Sequence, residues 1–334
     1  MNTPLYKAPC AYYPRCGGCQ LQHLDEAKYR AQKSAQLTAL FPDIPIAFTW
    51  GAPATRRRAE LKADAQGNLG FYAPQSHDLV PIGHCLAVVP EINALLVPLQ
   101  ALAKSLRPEK IFVTVADSGI ELIFTMQKTP PLALLKIFAE QHDIARIVIN
   151  ETPLLMRKAV RMDFSGTSVE LLPGAFLQPT REGQRFITET LDRMIPKAKK
   201  IAEFFCGSGT YSFMLAKKAP VLAYEFSVTT IAAFKGHPRI TATARDLERF
   251  PVQPVEIAGA DVAVLNPPRN GAAPQCKALV RSEVKRIVMV SCNPQTLARD
   301  LKILGDAGFA IREMIGLDQF HWTHHLETIV LLER

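Results

Sequence analysis

Cys292 closes an apolar run, Arg286-Ile287-Val288-Met289-Val290-Ser291, and is followed at once by Asn293-Pro294. A thiol at the end of a buried strand and the start of a loop is where open α/β sheets gather their chemistry. A cysteine is a strong nucleophile even when only a few per cent is ionised. The same position also suits an inert, buried thiol. Three more cysteines, Cys10, Cys16 and Cys19, crowd into PCAYYPRCGGCQ, a C-x5-C-x2-C cluster. Gly17 and Gly18 let the backbone curl so that the thiolates point at one centre. Soft donors so close together suit zinc or an iron–sulfur cluster. Cys85, in PIGHCLAV, is the candidate fourth ligand, with His23 and His84 as substitutes. Cys206 and Cys276 read as bystanders.

The elements around these residues change character along the chain. A polar helical stretch covers Glu26–Leu40, and TRRRAELKAD, GNLGFYAP and HDLVPIG read as short strands. Helical spacing returns from Glu91 to Leu106. IFVTVAD and IELIFTM alternate as strands about Asp117-Ser118-Gly119, PLALLKIFAEQH reads as a helix and ARIVINE as a strand. Together they describe a small α+β unit with no visible chemistry. From about residue 170, apolar strands alternate with helices, which argues for a mostly parallel sheet covered on both faces.

The first strand of this region leads into EFFCGSGTYSF, with Gly207 and Gly209 in the turn before a helix. Glycines there let the backbone approach a ligand at the helix N-terminus. The next strand ends at Glu225, placed for ribose hydroxyls, and the third at Asp246, placed for an adenine amine. No G-x-x-x-x-G-K-[ST] phosphate loop accompanies them. A nucleoside without phosphates points to S-adenosylmethionine over NAD or ATP. The fourth strand ends in Asn266-Pro267-Pro268, a rigid turn able to present a flat edge to a base.

Lys and Arg number 39 against 31 Asp and Glu, a formal net charge of +8 that fits a polyanionic partner. No apolar run approaches the roughly 18 to 20 residues of a membrane span, and the N-terminus carries no secretory pattern. The expectation is a cytoplasmic protein with reduced thiols, acting as a monomer.

These motifs together resemble the bacterial RNA uridine-5-methyltransferases. The resemblance runs over nearly the whole chain, through FLQPT, EFFCGSGT, NPPRNG, VSCNPQTLARDL and DQFHWTHHLETIVLL. It implies a Rossmann-like class I methyltransferase domain at 169–334, a central α+β platform at 91–168 and an iron–sulfur region at 1–90. It also implies a structural [4Fe–4S] cluster on Cys10, Cys16, Cys19 and Cys85. Cys292 becomes the nucleophile and Glu327 the base. Gln178, Phe205, Gly207, Glu225 and Asn266 become cofactor contacts, beside Asp246 from the strand reading. Asn266 stands where the family usually has Asp. The chain is also expected to lack the N-terminal β-barrel that some members use to hold RNA.

The implied substrate is RNA, 23S ribosomal RNA first and transfer RNA second. Phe320, His321 and Trp322 are candidates for stacking on a base, or else core aromatics. Arg56-Arg57-Arg58 reads as a solvated face with some prospect of phosphate contact, and Arg269 is the stronger RNA or active-site candidate. Two other readings compete. One is a cytosine-5-methyltransferase, which would lack the cysteine cluster and the terminal H-x-E. The other is a non-catalytic RNA-binding factor, which the Asn266 departure alone favours.

Overall fold

The structure, a computed structural model, describes residues 6–334. A cysteine-bearing loop leads to α1 (Glu26–Thr38) and β1 (Ile46–Trp50). Next come β2 (Arg58–Ala63), β3 (Leu69–Tyr72), β4 (Leu79–Pro81), α2 (Pro90–Leu106), β5 (Lys110–Val115) and β6 (Ile120–Thr125). They are followed by α3 (Leu132–Gln141), β7 (Ile144–Ile149), β8 (Thr152–Met156) and the hairpin β9 (Arg161–Phe164) and β10 (Thr167–Glu170). Then α4 (Arg181–Met194), β11 (Ile201–Phe204), α5 (Ser212–Lys218), β12 (Val221–Glu225), β13 (Ile240–Ala244) and β14 (Val262–Leu265) alternate. The chain closes with α6 (Ala273–Leu279), β15 (Arg286–Ser291), α7 (Pro294–Gly305), β16 (Ala310–Asp318) and β17 (Glu327–Glu333).

Two sheets organise these elements. The larger has eight strands in the order β1-β16-β17-β15-β14-β11-β12-β13. Its strands β11 to β15 are parallel, and β17 lies antiparallel between β15 and β16. Strands β11 and β14 are buried at every residue, as expected of a sheet covered on both faces. One face is closed by α4 and α5 over Ile201, Val221, Val264 and Val288. The other is closed by α6 and α7 over Phe204, Leu265, Ile287 and Met289. The chain leaves β11 toward β12 on one side, while its other neighbour is β14. That reversal is the switch point at which such sheets bind ligands, outside the carboxyl ends of the strands. Because β17 runs antiparallel, its first residue, Glu327, reaches the same edge at which the parallel strands end.

The smaller sheet has the order β4-β3-β2-β5-β6-β7-β8, with α2 and α3 packed against it. The sheets do not follow the expected division at residues 90 and 168. Strand β1 pairs with β16 in the eight-stranded sheet, whereas β2, β3 and β4 extend the strands that follow. The N-terminal region is therefore shared between two sheets, since each edge strand goes where a partner backbone is free to pair. Helix α1 follows β1 to the large sheet. It buries Tyr29, Lys33 and Leu37, spaced one turn apart, on that side. No helix among the described residues is long and apolar enough to cross a membrane.

Candidate active site

A cavity of about 1100 Å³ opens at the carboxyl edge of the large sheet. Gln178, Phe205, Gly207, Glu225, Asp246, Asn266, Cys292 and Glu327 all line it, and so do Arg56, Arg58, Arg269 and Phe320. The eight expected site residues are thus brought together on one surface. They come from the ends of β11, β12, β13, β14 and β15, the start of β17 and the strap before α4.

The turn after β11 is shaped for a close ligand. Phe205 and Gly207 both have left-handed backbone, with φ of 61° and 55°. For a phenylalanine that conformation is strained, and such strain persists where surrounding structure holds it. Nothing stands within 4 Å of where a Cβ on Gly207 would lie. Glu225 accepts from the Gly207 amide at 3.0 Å, so its carboxylate stands beside the turn. Asp246 accepts from the Glu248 and Arg249 amides at 3.1 Å each.

Cys292 precedes the N-cap of α7, where the Asn293 side chain accepts from Gln295. A helix N-terminus favours an anion, and Arg269 adds its charge. Burial is the largest influence on the thiol and, with the Glu327 charge, pushes it up, while Arg269 pulls it down. The loop carrying Arg269 is bolted to α7. Its carbonyl accepts from Asn293 Nδ2 at 2.9 Å, the Asn270 carbonyl accepts from Arg299 at 2.8 Å, and the Ala272 amide donates to Asp300 at 2.6 Å. The Arg269 guanidinium itself donates to His325 Nε2 at 3.3 Å.

Glu327 is buried, and burial raises its carboxyl to about 7 against the donation it receives from Gln319. Gln319 Nε2 donates to Glu327 Oε2 at 2.7 Å and to Gln178 Oε1 at 2.8 Å. Gln178 Nε2 donates to the Tyr211 hydroxyl at 2.9 Å. Neither Gln319 nor Tyr211 was expected from the sequence. Each lies inside a quoted motif, yet only its burial and its bonds to other site residues reveal it. Glu203 is a third such group: it accepts from Ser212 at 2.5 Å, and burial raises it to about 8.

The arginine triplet is not a solvated face. Arg57 is fully buried; its Nε donates to the Gln178 carbonyl at 2.9 Å and its Nη2 to Gln184 at 2.6 Å. Arg58 donates to the Leu177 carbonyl at 2.9 Å and lies over the Phe112 and Phe176 rings. Two arginines of the smaller sheet thus hold the strap that carries Gln178. Arg56 and Arg58 also reach the cavity, so only Arg57 is lost as a phosphate contact. Among the aromatics, Phe320 lines the cavity. His321 packs on Tyr29 and Trp322, and stands 3.6 Å from Asp318. Asp318 also accepts from Tyr29 at 2.6 Å and pairs with fully buried Lys33. Burial opposes its charge, yet His321, Lys33 and Tyr29 together hold this carboxyl below the usual range.

A second cavity, of about 330 Å³, is lined by Cys10, Cys16, Cys19 and Cys85, with Arg56, Arg269, Phe320 and His325 shared with or bordering the first. The thiols are close enough to raise one another. Burial is the larger cause, and it takes Cys19 to about 12. No group of three or more His, Cys, Asp or Glu among the described residues is arranged to hold a single metal ion. The four cysteines line this one cavity together. His23 bonds Tyr13 at 2.5 Å. Cys206 and Cys276 are buried, Cys276 within α6.

Residues 244–334 match the tRNA (uracil-5-)-methyltransferase family. The chain is 36% identical over 342 residues to an uncharacterized RNA methyltransferase of Rhizobium meliloti (strain 1021), covering 96% of this chain and 82% of that protein. It is 32% identical over 364 residues to the 23S rRNA (uracil(1939)-C(5))-methyltransferase RlmD of Chromohalobacter salexigens, covering 98% and 76%. The chain belongs to the RNA uracil-5-methyltransferase family. The uracil-5-methyltransferase fold is seen again in the crystal structure of Pyrococcus abyssi tRNA (uracil-54, C5)-methyltransferase in complex with S-adenosyl-L-homocysteine. That structure has a TM-score of 0.75 and 19% identity, and the match covers 96% of this chain and 86% of that one.

Proposed function

We propose that this protein methylates carbon 5 of a uridine in 23S ribosomal RNA, with Cys292 as nucleophile and Glu327 as base. The observation that carries the reading is that both side chains line one cavity at the carboxyl edge of the large sheet, beside the turn after β11. Gln178, Phe205, Gly207, Glu225, Asp246 and Asn266 would hold S-adenosylmethionine. The open space beside Gly207 and the Glu225 carboxylate next to it fit an adenosine without phosphates. Asn266 keeps a carbonyl acceptor at the position of the family's usual Asp and brings no charge.

Cys292 Sγ adds to carbon 6 of the uracil, which breaks the 5,6 double bond and moves its electron pair to carbon 5 as an enolate. S-adenosylmethionine supplies the electrophilic methyl group when bound. Glu327 takes the proton from carbon 5, the electron pair of that C–H bond restores the double bond, and Cys292 departs as a thiolate. Arg269 favours the thiolate at both ends of this cycle. A carboxyl near 7 is suited to a base at neutral pH. The uridine must leave its stack to reach Cys292, at a cost of a few kcal/mol, and Phe320 is suited to stack on it. Arg56, Arg58 and Arg269 supply charge for phosphates along the same mouth.

The proposal includes a [4Fe–4S] cluster on Cys10, Cys16, Cys19 and Cys85, tying the N-terminal loop to the sheet edge near β4. Four neighbouring half-buried thiols fit that role, since iron would hold Cys16, Cys19 and Cys85 as thiolates where burial otherwise raises them.

Transfer RNA is a second reading, favoured by the family description that residues 244–334 match. RNA pools carrying 5-fluorouridine separate the two. Fluorine at carbon 5 cannot leave as a proton, so the protein–RNA adduct is trapped. An adduct at Cys292 with ribosomal RNA, absent in Cys292→Ala, is expected. An adduct only with transfer RNA selects the second reading, and none with either overturns uridine methylation.

A further inference from the structure

Gln319, at the turn after β16, is 4% exposed and links two parts of the site. Its Nε2 donates to both Glu327 Oε2 and Gln178 Oε1, at 2.7 and 2.8 Å. Gln178 Nε2 passes the pattern on to the Tyr211 hydroxyl. The Gln319 Oε1 is buried with no partner among the described residues. A Cβ added to Gly183 would stand 2.4 Å from that oxygen, so α4 packs directly on the carboxamide. Gln319 donates to both neighbours and Gln178 donates onward to Tyr211, so the donors run outward from Gln319, and the arrangement requires Glu327 Oε2 to accept.

A proton on Glu327 Oε2 sets a donor against a donor. A half-turn of the Gln319 carboxamide brings the unpartnered Oε1 to face the new O–H. The same half-turn sets that oxygen against Gln178 Oε1, so Gln178 must turn too. Its Nε2 then donates to Gln319, and its Oε1 accepts from the Tyr211 hydroxyl. The chain thus has a second setting for a proton on Oε2, which carries Gln319 Nε2 into the buried place of Oε1 without an acceptor and so costs more than the first.

We propose that Gln319 is a positioning residue that couples the proton on Glu327 to the orientation of the Gln178 carboxamide, and through it to the cofactor. The inference rests on the reading of Glu327 as base and Gln178 as cofactor contact. Within the reaction Glu327 takes the carbon-5 proton only after the methyl group has left, so there the second setting coincides with S-adenosylhomocysteine in the site. Reversing the Gln178 dipole at that moment lets the site hold product and substrate with different strength. The other ionisable groups that face Glu327 are Cys292 beyond β15 and Tyr211 ahead of α5, the latter near Arg57 and Glu203, with Arg269 acting on Cys292. Burial raises both Cys292 and Tyr211, so neither changes charge just below neutrality.

The test is the affinity of RNA-free protein for S-adenosylhomocysteine, measured by calorimetry from about two pH units below neutrality to about one above. Wild type, Glu327→Gln, Gln319→Met and Gln319→Leu are compared. Wild type should change affinity at least about fivefold across the range. The change should vanish in Glu327→Gln and in both Gln319 variants, each still binding the ligand. Gln319→Met keeps the side-chain volume and serves if Gln319→Leu does not fold. A flat wild-type profile overturns the proposal. So does a pH dependence that survives Gln319→Met but not Glu327→Gln, because Glu327 would then reach the cofactor by another route. No binding at any pH overturns the cofactor reading itself.

Discussion

Cys292 and Glu327 flank the last pair of two strands that run in opposite directions: Cys292 follows the end of β15, and Glu327 begins β17. Ser291, the last residue of β15, pairs with Thr328 of β17. Cys292 and Glu327 are thus each one residue beyond that pair, at the same end of the ladder, and both line the larger cavity. The proposed nucleophile and base are therefore brought to one cavity by the ends of two paired strands.

Cys292→Ala should abolish methylation, while Glu327→Gln should still form the covalent intermediate and fail to resolve it. Turnover in Glu327→Gln should fall by about 10² to 10⁴-fold, the usual worth of a general base. Denaturing gels of enzyme, natural RNA and S-adenosylmethionine check this: a band of protein joined to RNA should appear for Glu327→Gln alone.

The raised carboxyl of Glu327 predicts a pH-dependent gain in stability when its charge is removed. Its folded value of about 7 lies above the ordinary 4.5, so its contribution is fully present below pH 4.5 and is lost as pH rises through 7. Glu327→Gln should therefore be more stable than wild type at pH about 8, by on the order of 2–3 kcal/mol, and equal to it near pH about 4. Denaturant melts at the two pH values measure the difference. Turnover of wild type should decline on acidification below about 7 for the same reason.

Arg269→Ala removes the cation that lowers the Cys292 thiol and leaves burial and Glu327 unopposed. Alkylation of Cys292 by iodoacetamide at neutral pH should slow severalfold, with mass spectrometry following the one residue. An unchanged rate would mean that the guanidinium does not act on the thiol.

Lys33→Met should leave Asp318 buried and without its lysine, held only by Tyr29, His321 and the Phe320 amide, at a cost of about 3 kcal/mol. Lys33→Met with Asp318→Asn should recover most of the loss in the same urea melt. The pair fastens α1 to the turn holding Phe320, so methylation should fall with the single substitution even where the fold survives.

Anaerobically prepared protein should carry about four irons and four acid-labile sulfides per chain if the cysteines hold the proposed cluster. Cys19→Ser or Cys85→Ser should lose both. Bound zinc in place of iron would overturn the cluster assignment.

Much of the site was legible because its residues sit where strands end, and strand ends are marked in the sequence. Cys292 follows RIVMVS, Glu225 ends VLAYE and Asn266 follows VAVL, so three residues that line the larger cavity could be read from strand ends. Glu327 was found by resemblance, since no local pattern shows that the last strand runs backwards. Gln319 and Tyr211 were invisible because their importance lies in bonds to residues far along the chain. The arginine triplet misled for a related reason. Three charges in a row look solvated, yet strand alternation turned Arg57 inward onto the Gln178 carbonyl. Strand β1 was missed because IAFTW is short and its partner β16 lies near the other end of the chain.

That long-range pairing bears on how the molecule is made. A chain emerging from a ribosome exposes Phe48 and Trp50 of β1 well before Met314 to Asp318 exist to receive them. Contacts so distant in sequence form slowly, and an unpaired apolar strand invites association with other chains meanwhile. Biogenesis should accordingly depend on chaperones that shield this early segment, and lowering the rate of synthesis should raise aggregation more than it would for a protein whose first strand pairs with its second.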